Sequence, residues 1–217
     1  PGQVSVRLRM DVGSLMERPD EQGYAHFMEH LTFRGSRHVP DGESKRIWQR
    51  LGVTFGSDSN AQTTPTGTTY ALDLPQATPA SLGESMKILA GMMADPNIVD
   101  SAVDAERAVV LAERREGEGP QMRISNATRR HFFAGQPLAD RSPIGTVATL
   151  NATTAARMEA FHQRWYRPEN AVISIAGDID PAVAEQIIKD NFASWSVPGK
   201  GAALPDFGEP DPKAPAT

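Results

Sequence analysis

The sequence contains no cysteine among its 217 residues. This absence excludes disulfide scaffolds, catalysis by a thiolate and zinc sites built from cysteine. Any metal ion held by this chain must therefore be bound by histidine and carboxylate side chains. Histidine is itself scarce, with five residues in the chain, so two histidines close together in the sequence are informative.

The chain also lacks long apolar runs and an excess of basic residues. No stretch approaches the roughly 18 consecutive apolar residues that a membrane-spanning helix needs. The 22 Lys and Arg residues are outnumbered by 27 Asp and Glu, for a net charge of -5, whereas nucleic-acid binding needs a concentrated basic face. With a mean hydropathy of -0.40, these absences predict a globular protein with no membrane span and no nucleic-acid partner.

Hydrophobic periodicity predicts strands and helices that occur in clusters. Alternating apolar residues predict a first strand from Val4, and segments 53–58 and 68–74 are typical of a hairpin with a polar connection. A β-prone run at 171–176 predicts a further strand. Helical spacing is found at 24–33, 41–51, 80–94, 103–116, 122–133, 153–166 and from Pro181. Because strands and helices do not alternate strictly, the pattern favours an α+β fold with a largely antiparallel sheet packed against helices.

The two ends of the chain differ from its middle. Residues 197–217 are dense in proline and glycine and have no hydrophobic period, which is typical of a linker or an extension. We therefore expect one domain over residues 1–196, followed by a linker or C-terminal extension over 197–217. The chain opens at Pro1 without Met and runs directly into a strand pattern, so we also expect a preceding segment.

The segment with the clearest chemical content is His26-Phe27-Met28-Glu29-His30, which has the form H-x-x-E-H. On a helix, residues four apart lie on the same face, so the imidazoles of His26 and His30 can reach one point. Zinc prefers imidazole and carboxylate ligands, and a catalytic zinc site keeps one position open for water. Glu29 lies about 100° around the helix from His30, where it can activate that water. The blander alternative is two helix histidines beside a surface glutamate.

A catalytic zinc site needs three protein ligands, and the motif supplies two of them. The candidates for the third are the other histidines and the acids of the helix predicted at 103–116: His38, His131, His162, Glu106, Glu113 and Glu116. Glu106 and Glu113 are two turns apart on one face of that helix. The residues alone leave the choice among these candidates open.

Several blocks of the sequence resemble the insulinase/pitrilysin family of inverted zinc peptidases, whose motif is H-x-x-E-H. The resemblance extends from Val4 to about Trp195. Its blocks, in chain order, are 13–17, 23–30, 33–35, 51–52, 55–58, 60–63, 69–70, 106–113, 141–145, 166–170 and 175–178. Several independent blocks in the same order make the resemblance specific, and it implies the same α+β fold.

The resemblance implies one Zn²⁺ per domain, held by His26, His30 and a glutamate on a later helix. Glu106 lies 76 residues beyond His30, a separation similar to that of the family, which implies Glu106 as the third ligand. Glu113 is then expected to be a nearby acid that orients a metal-binding histidine. Glu29 is expected to take the proton of the attacking water.

The resemblance also implies that peptides bind as an added strand at a sheet edge. The candidate edge is the segment 55–61, with Asn60 and Ala61 nearest the scissile bond. The alternative for Asn60 is an Asx-type turn at the end of a strand. The expected substrates are peptides or small proteins.

Active particles of the family combine this domain with homologous domains, in the same chain or in a partner subunit. We therefore expect a zinc-dependent endopeptidase domain that needs those domains for full activity, in a bacterial periplasm. The main alternative is a non-catalytic scaffold or partner subunit of the same family. A second is a metal-dependent hydrolase of another bond. The presence together of His26, Glu29, His30 and Glu106 favours the peptidase.

Overall fold

In the computed structural model of the chain, which describes residues 2–209 and 211, four strands form one antiparallel sheet. The strands are β1 (Val4–Met10), β2 (Ser59–Thr63), β3 (Thr68–Leu74) and β4 (Ala171–Gly177). Their spatial order is β2-β3-β1-β4. Since β1 pairs with both β3 and β4, the first strand lies inside the sheet, and β2 and β4 form its edges.

Eight α-helices accompany the sheet within these residues. They are α1 (Tyr24–Thr32), α2 (Glu43–Arg50), α3 (Pro79–Ala94), α4 (Asp100–Gly117), α5 (Pro120–Phe132), α6 (Val147–Asn151), α7 (Ala155–Trp165) and α8 (Pro181–Phe192). None of the described helices is long and apolar enough to cross a membrane. The predicted α+β fold with a largely antiparallel sheet is confirmed.

Burial of one face of the sheet holds the helices in place. The alternate side chains of β1 are at most 1% exposed: Val4, Val6, Leu8 and Met10. The apolar side chains of α1 (Phe27, Met28 and Leu31) are fully buried as well. Because each such side chain contributes about 1.5–3 kcal/mol on burial, α1 cannot rotate without losing several of these contributions. Its polar face, which carries the H-x-x-E-H residues, is thereby held toward β2 and α4.

The first strand of the hairpin begins later than the sequence predicts. The prediction is 53–58, whereas β2 is Ser59–Thr63. Residues 54–58 form a turn in which the Thr54 N–H donates to Asp58 Oδ2 at 2.8 Å and the Asp58 N–H donates to Thr54 O at 2.9 Å. Such local bonding by an aspartate competes with strand pairing. Asn60 and Ala61 consequently lie inside the strand.

The stretch after residue 196 contains no helix or strand over 197–209 or at 211. It begins in contact with the domain, since the Arg167 guanidinium donates to the carbonyls of Val197 at 3.0 Å and Gly199 at 2.5 Å. The boundary between residues 196 and 197 stays a prediction. Pro1, residue 210 and residues 212–217 lie outside the described residues.

A buried carboxyl group holds the start of α1. Glu17 is 5% exposed and accepts hydrogen bonds from the N–H groups of Gly23 and Ala25, each at 2.9 Å. The first N–H groups of a helix have no partner inside it, and the positive end of the helix dipole favours an acid there. Burial raises the pKa of Glu17 to about 8, although the two N–H donors and the charge of Arg141 act against that rise.

Replacement of Glu17 by alanine should lower the free energy of unfolding by about 1–3 kcal/mol, because it leaves buried N–H groups of α1 without an acceptor. Urea unfolding of the variant measures this loss. Glu84→Ala is the matched control, since Glu84 pairs with Arg50 at the surface and its loss should cost less than about 1 kcal/mol. Equal stability of the two variants would contradict the role given to Glu17.

Candidate metal centre

The polar face of α1 opens into a cleft of about 770 Å³. The rings of His26 and His30 stand edge to face in it, with centroids 4.7 Å apart. Glu29, Glu106 and Glu113 of α4, and most of β2 also line the cleft. The residues of the H-x-x-E-H motif therefore share one solvent-accessible space with an edge strand.

Two glycines allow a loop to pack closely against the start of α1. Gly23 has a φ of 96° and Gly145 a φ of 72°, values in the left-handed region that favours glycine. A Cβ atom on Gly145 would lie 2.4 Å from the carbonyl oxygen of Gln22, closer than atoms can approach. The loop that ends at Gly145 thus forms the wall of the cleft beside α1, through Ser142 and Ile144.

Three side chains converge on one point in the cleft. Glu113 Oε2 lies 3.6 Å from His26 Nε2 and 3.4 Å from His30 Nε2. Among the described residues, the ligand atoms of His26, His30 and Glu113 all lie within 4.8 Å of one another, as a shared metal ion requires. Ligand atoms about 2.0–2.1 Å from a tetrahedral zinc ion are about 3.4 Å apart. The donor atoms and their spacing therefore fit zinc.

Glu106 contacts the opposite side of the His30 ring. Its Oε2 lies 3.0 Å from His30 Nδ1, and its Oε1 accepts a hydrogen bond from Arg34 Nε at 2.5 Å. A histidine that binds a metal through Nε2 commonly donates its Nδ1–H to a carboxylate, which fixes the tautomer and the ring orientation. The geometry thus favours the reverse of the two expected roles, with Glu113 near Nε2 of both imidazoles and Glu106 beside Nδ1 of His30.

The separation of Glu106 from His30 along the chain favoured Glu106, but separation cannot decide between the two acids, because both lie on one stripe of α4. Val103, Glu106 and Val110 are its buried residues, and Glu113 continues the same three-to-four spacing. Glu113 lies 113 − 30 = 83 residues beyond His30, but loops before α4 can change length without moving the helix. The packing of α4 on α1 decides which acid reaches Nε2 of each histidine.

The other candidates for the third ligand lie outside this group of three: His38, His131, His162 and Glu116. His162 is 2% exposed, and its Nε2 lies 2.8 Å from the carbonyl oxygen of Met93. Its ring stacks on that of Tyr166, with centroids 5.2 Å apart. His162 is therefore a core residue.

The two histidines of the group differ in pKa. Burial lowers the pKa of His26 to about 4, and the charge of His30 acts in the same direction. Burial also lowers the pKa of His30, but its hydrogen bond to Glu106 and the charge of that acid outweigh burial, so the pKa lies above the ordinary value. His26 is consequently neutral near pH 7, which is the form that binds metal ions.

Glu29 is held by a residue for which the sequence carries a weak signal. Thr63 Oγ1 donates to Glu29 Oε2 at 2.5 Å. Burial raises the pKa of Glu29, while the bond from Thr63 and the charge of His30 partly offset that rise. Thr63 belongs to a block of family resemblance, 60–63, and lies two residues beyond Ala61, but its contact with α1 exists only in the folded chain.

Asn60 and Ala61 lie in the edge strand and line the same cleft. β2 pairs with β3 along one side, and none of the described strands pairs with its other side. The Ala61 N–H donates to the side-chain Oδ1 of Asn60 at 2.9 Å. Phe55 forms an isolated bridge with Ser59 at the start of this edge, and the edge beyond it, beside the candidate metal centre, is open to a further strand.

Comparison with known proteins adds a family to this geometry. A family model described as "Insulinase (Peptidase family M16)" matches residues 2–141. The chain belongs to the insulinase family. A second model, described as "Peptidase M16 inactive domain", matches residues 152–217 of this M16 chain. The predicted family is confirmed.

The relatives of this M16 chain are named zinc proteases and processing peptidases. It is 36% identical over 191 residues to "Probable zinc protease PqqL" of Escherichia coli, covering 88% of this chain and 20% of the relative. It is 31% identical to the chloroplastic stromal processing peptidase of Pisum sativum, covering 86% of this chain and 14% of the relative. The chain thus spans about a fifth or less of these relatives, and zinc is the metal that the family's names imply.

A solved structure shares the fold of the M16 chain. The crystal structure of the first half of the periplasmic protease PqqL from Escherichia coli superposes with a TM-score of 0.89 at 34% identity. The match covers 95% of this chain and 44% of that structure. The sheet and helices described above are therefore those of an M16 domain.

The reversed roles of the two acids can be tested by zinc binding. Glu113→Gln should weaken zinc affinity by more than Glu106→Gln does, because only Glu113 meets both imidazoles; loss of an orienting acid costs roughly 10- to 100-fold. Titration against a chelator of known affinity measures both. Glu116→Gln, an exposed residue of α4, is the control and should bind zinc like the unchanged chain. Weaker binding by Glu106→Gln than by Glu113→Gln would restore the original assignment.

Proposed function

We propose that this chain is the zinc-binding domain of a metalloendopeptidase, with one Zn²⁺ held by His26, His30 and Glu113. The observation that carries the proposal is the convergence of two imidazole nitrogens and one carboxylate oxygen within 4.8 Å, in a cleft that also contains Glu29. The names of the relatives support the same chemistry. These three side chains would hold the ion, and a catalytic zinc site with three protein ligands would leave a place for water.

When bound, a zinc ion would supply Lewis-acid polarisation of the scissile carbonyl and would lower the pKa of a water ligand to about 7. Glu29 accepts the proton of the attacking water and passes it to the leaving amine. Burial supports this role, because it raises the pKa of Glu29 toward the range where a carboxyl group both takes and returns a proton. Oε1 of Glu29 makes no hydrogen bond among the described residues, while Oε2 is held by Thr63.

The substrate is a peptide that adds a strand to β2. Its carbonyl group takes the N–H of Ala61, in place of the Asn60 side chain that now accepts it. Main-chain pairing of this kind binds many sequences, which suits an endopeptidase. Asn60 and Ala61 lie on the same short strand as Thr63, which contacts Glu29, and therefore bring the peptide beside Glu29.

Full activity requires further homologous domains, in the same chain or in a partner subunit. Support comes from the relatives, which are about five times as long as the matched segment. We assign the zinc-binding domain to residues 1–196 and a linker or extension to 197–217. The periplasm of a bacterium is the proposed location, because the PqqL structure is described as that of a periplasmic protease.

Glu29→Gln in the complete protein that contains this chain should retain zinc and lose nearly all turnover, because an amide cannot accept the proton of the water. Zinc content by atomic absorption and cleavage of an internally quenched peptide measure the two properties. Lys189→Gln, an exposed change on α8, is the control and should cleave normally. Retained turnover by Glu29→Gln would contradict the assignment, and absence of zinc from the unchanged protein would favour the scaffold alternative.

Thr63→Val should lower kcat by roughly tenfold or more with little change in KM, because a hydrogen bond to a charged group is worth about 1.5–3 kcal/mol. Thr63→Ser keeps the hydroxyl and should restore most of kcat, while both variants bind zinc normally. Steady-state kinetics on the same quenched peptide separate kcat from KM. If serine and valine reduced kcat equally, Thr63 would act through packing and not through its bond to Glu29.

A further inference from the structure

A second cavity, of about 440 Å³, adjoins the candidate metal centre. Met122, Ser142 and Ile144 line both cavities, so the two are neighbours across a shared wall. The second cavity is lined by four arginines, and we name it the arginine pocket: Arg114, Arg129, Arg130 and Arg141. Arg114 directly follows Glu113 on α4, which connects the pocket to the metal site.

The arginine pocket carries more positive than negative charge. Two acids line it, Glu118 and Asp140. Glu118 pairs with Arg114, and Asp140 pairs with Arg130 at 2.9 Å. Arg129 and Arg141 have no carboxylate within ion-pair distance in the part of the chain that the structure describes. This local excess of positive charge stands out in a chain whose net charge is -5.

Uncharged acceptors hold these two guanidinium groups without neutralising them. Arg129 donates from Nε to the carbonyl of Ala139 at 3.2 Å and from Nη2 to Asn126 Oδ1 at 3.0 Å. Its Nη1 makes no hydrogen bond among the described residues. Arg141 donates from Nε to the backbone oxygen of Glu17 at 3.4 Å. Burial lowers the pKa of Arg129, and the charge of Arg130 lowers it further, as expected where positive charge lacks a counter-ion.

We propose that the arginine pocket binds a carboxylate of the peptide substrate, on an acidic side chain away from the scissile bond. The proposal rests on the peptidase function proposed above. A guanidinium group presents paired N–H donors that match a carboxylate, and partial burial strengthens the attraction. Pairing along β2 distinguishes sequences poorly, so this pocket selects peptides with an acid at a set distance from the bond to be cut.

The test measures binding without cleavage, on the zinc-loaded Glu29→Gln variant of the full chain. A fluorescent, neutral, C-terminally amidated peptide is prepared as a series in which one Gln is changed to Glu at each position in turn. Anisotropy titrations should show affinity about tenfold higher for Glu at one position or at two neighbouring ones. The preference should shrink at 0.5 M salt, as screening requires. A flat series would overturn the proposal.

Variants of the pocket identify the residues that recognise the acid. Arg129→Gln and the double variant Arg129→Gln, Arg141→Gln should abolish the preference for Glu while binding the all-Gln peptide as before. Lys189→Gln removes the same charge at a distant surface and should leave the preference intact. If the preference persisted in both pocket variants, the pocket would not be its source. Arg141 also contacts Glu17, so its replacement can disturb folding. If the double variant does not fold, the result for Arg129→Gln alone decides whether the pocket is the source of the preference.

Two further measurements separate the proposal from its alternatives. A neutral peptide with a free C-terminal carboxylate should gain little over its amidated form, whereas a comparable gain would assign the pocket to chain ends and overturn selection of an acidic side chain. Because no cleavage is needed, an inactive protein that still prefers Glu would reject the peptidase function and retain the pocket. An active protein with a flat Glu series would do the reverse.

Discussion

The packing of α4 against α1 is the contact on which the candidate metal centre depends. Val103 and Val110 bury the inner stripe of α4, and that stripe also carries the two acids. Glu106 and Glu113 therefore face His30 together, one at each ring nitrogen. A rotation of α4 by one residue, about 100°, would carry both acids away from α1. The site thus derives its geometry from apolar packing that takes no part in the chemistry.

Polar contacts around the site compensate for the cost of burying charge. Asp41 pairs with Arg34, Arg34 pairs with Glu106, and Glu106 bonds to His30. Burial raises the pKa of Glu106, but the bonds from His30 and Arg34 outweigh it and keep the pKa below the ordinary value. Glu29, which has one hydroxyl partner, keeps a raised pKa. The pKa values of the neighbouring acids Glu29 and Glu106 thus shift in opposite directions because their partners differ, which suits an orienting role for Glu106 and a proton-carrying role for Glu29.

The features that local sequence predicted correctly are those that depend on a few consecutive residues. The spacing of apolar side chains predicts α1 and β1, and the α+β fold follows from how such segments are ordered. His26 and His30 lie near each other because any helix brings residues four apart together. The predicted start of β2 was wrong because Asp58 bonds to the backbone of its own turn. Hydrophobic spacing carries no information about such a bond.

The folded chain decided everything that joins distant segments. The choice between Glu106 and Glu113 required the packing of two helices, since both acids lie on one stripe and their distance from His30 along the chain depends on loop length. The bond from Thr63 to Glu29 spans 34 residues, and the arginine pocket brings together two helices and a loop. Sequence periodicity predicts which face of its own helix or strand a side chain lies on. A site depends on how two such elements pack, because packing decides which of their side chains come into contact.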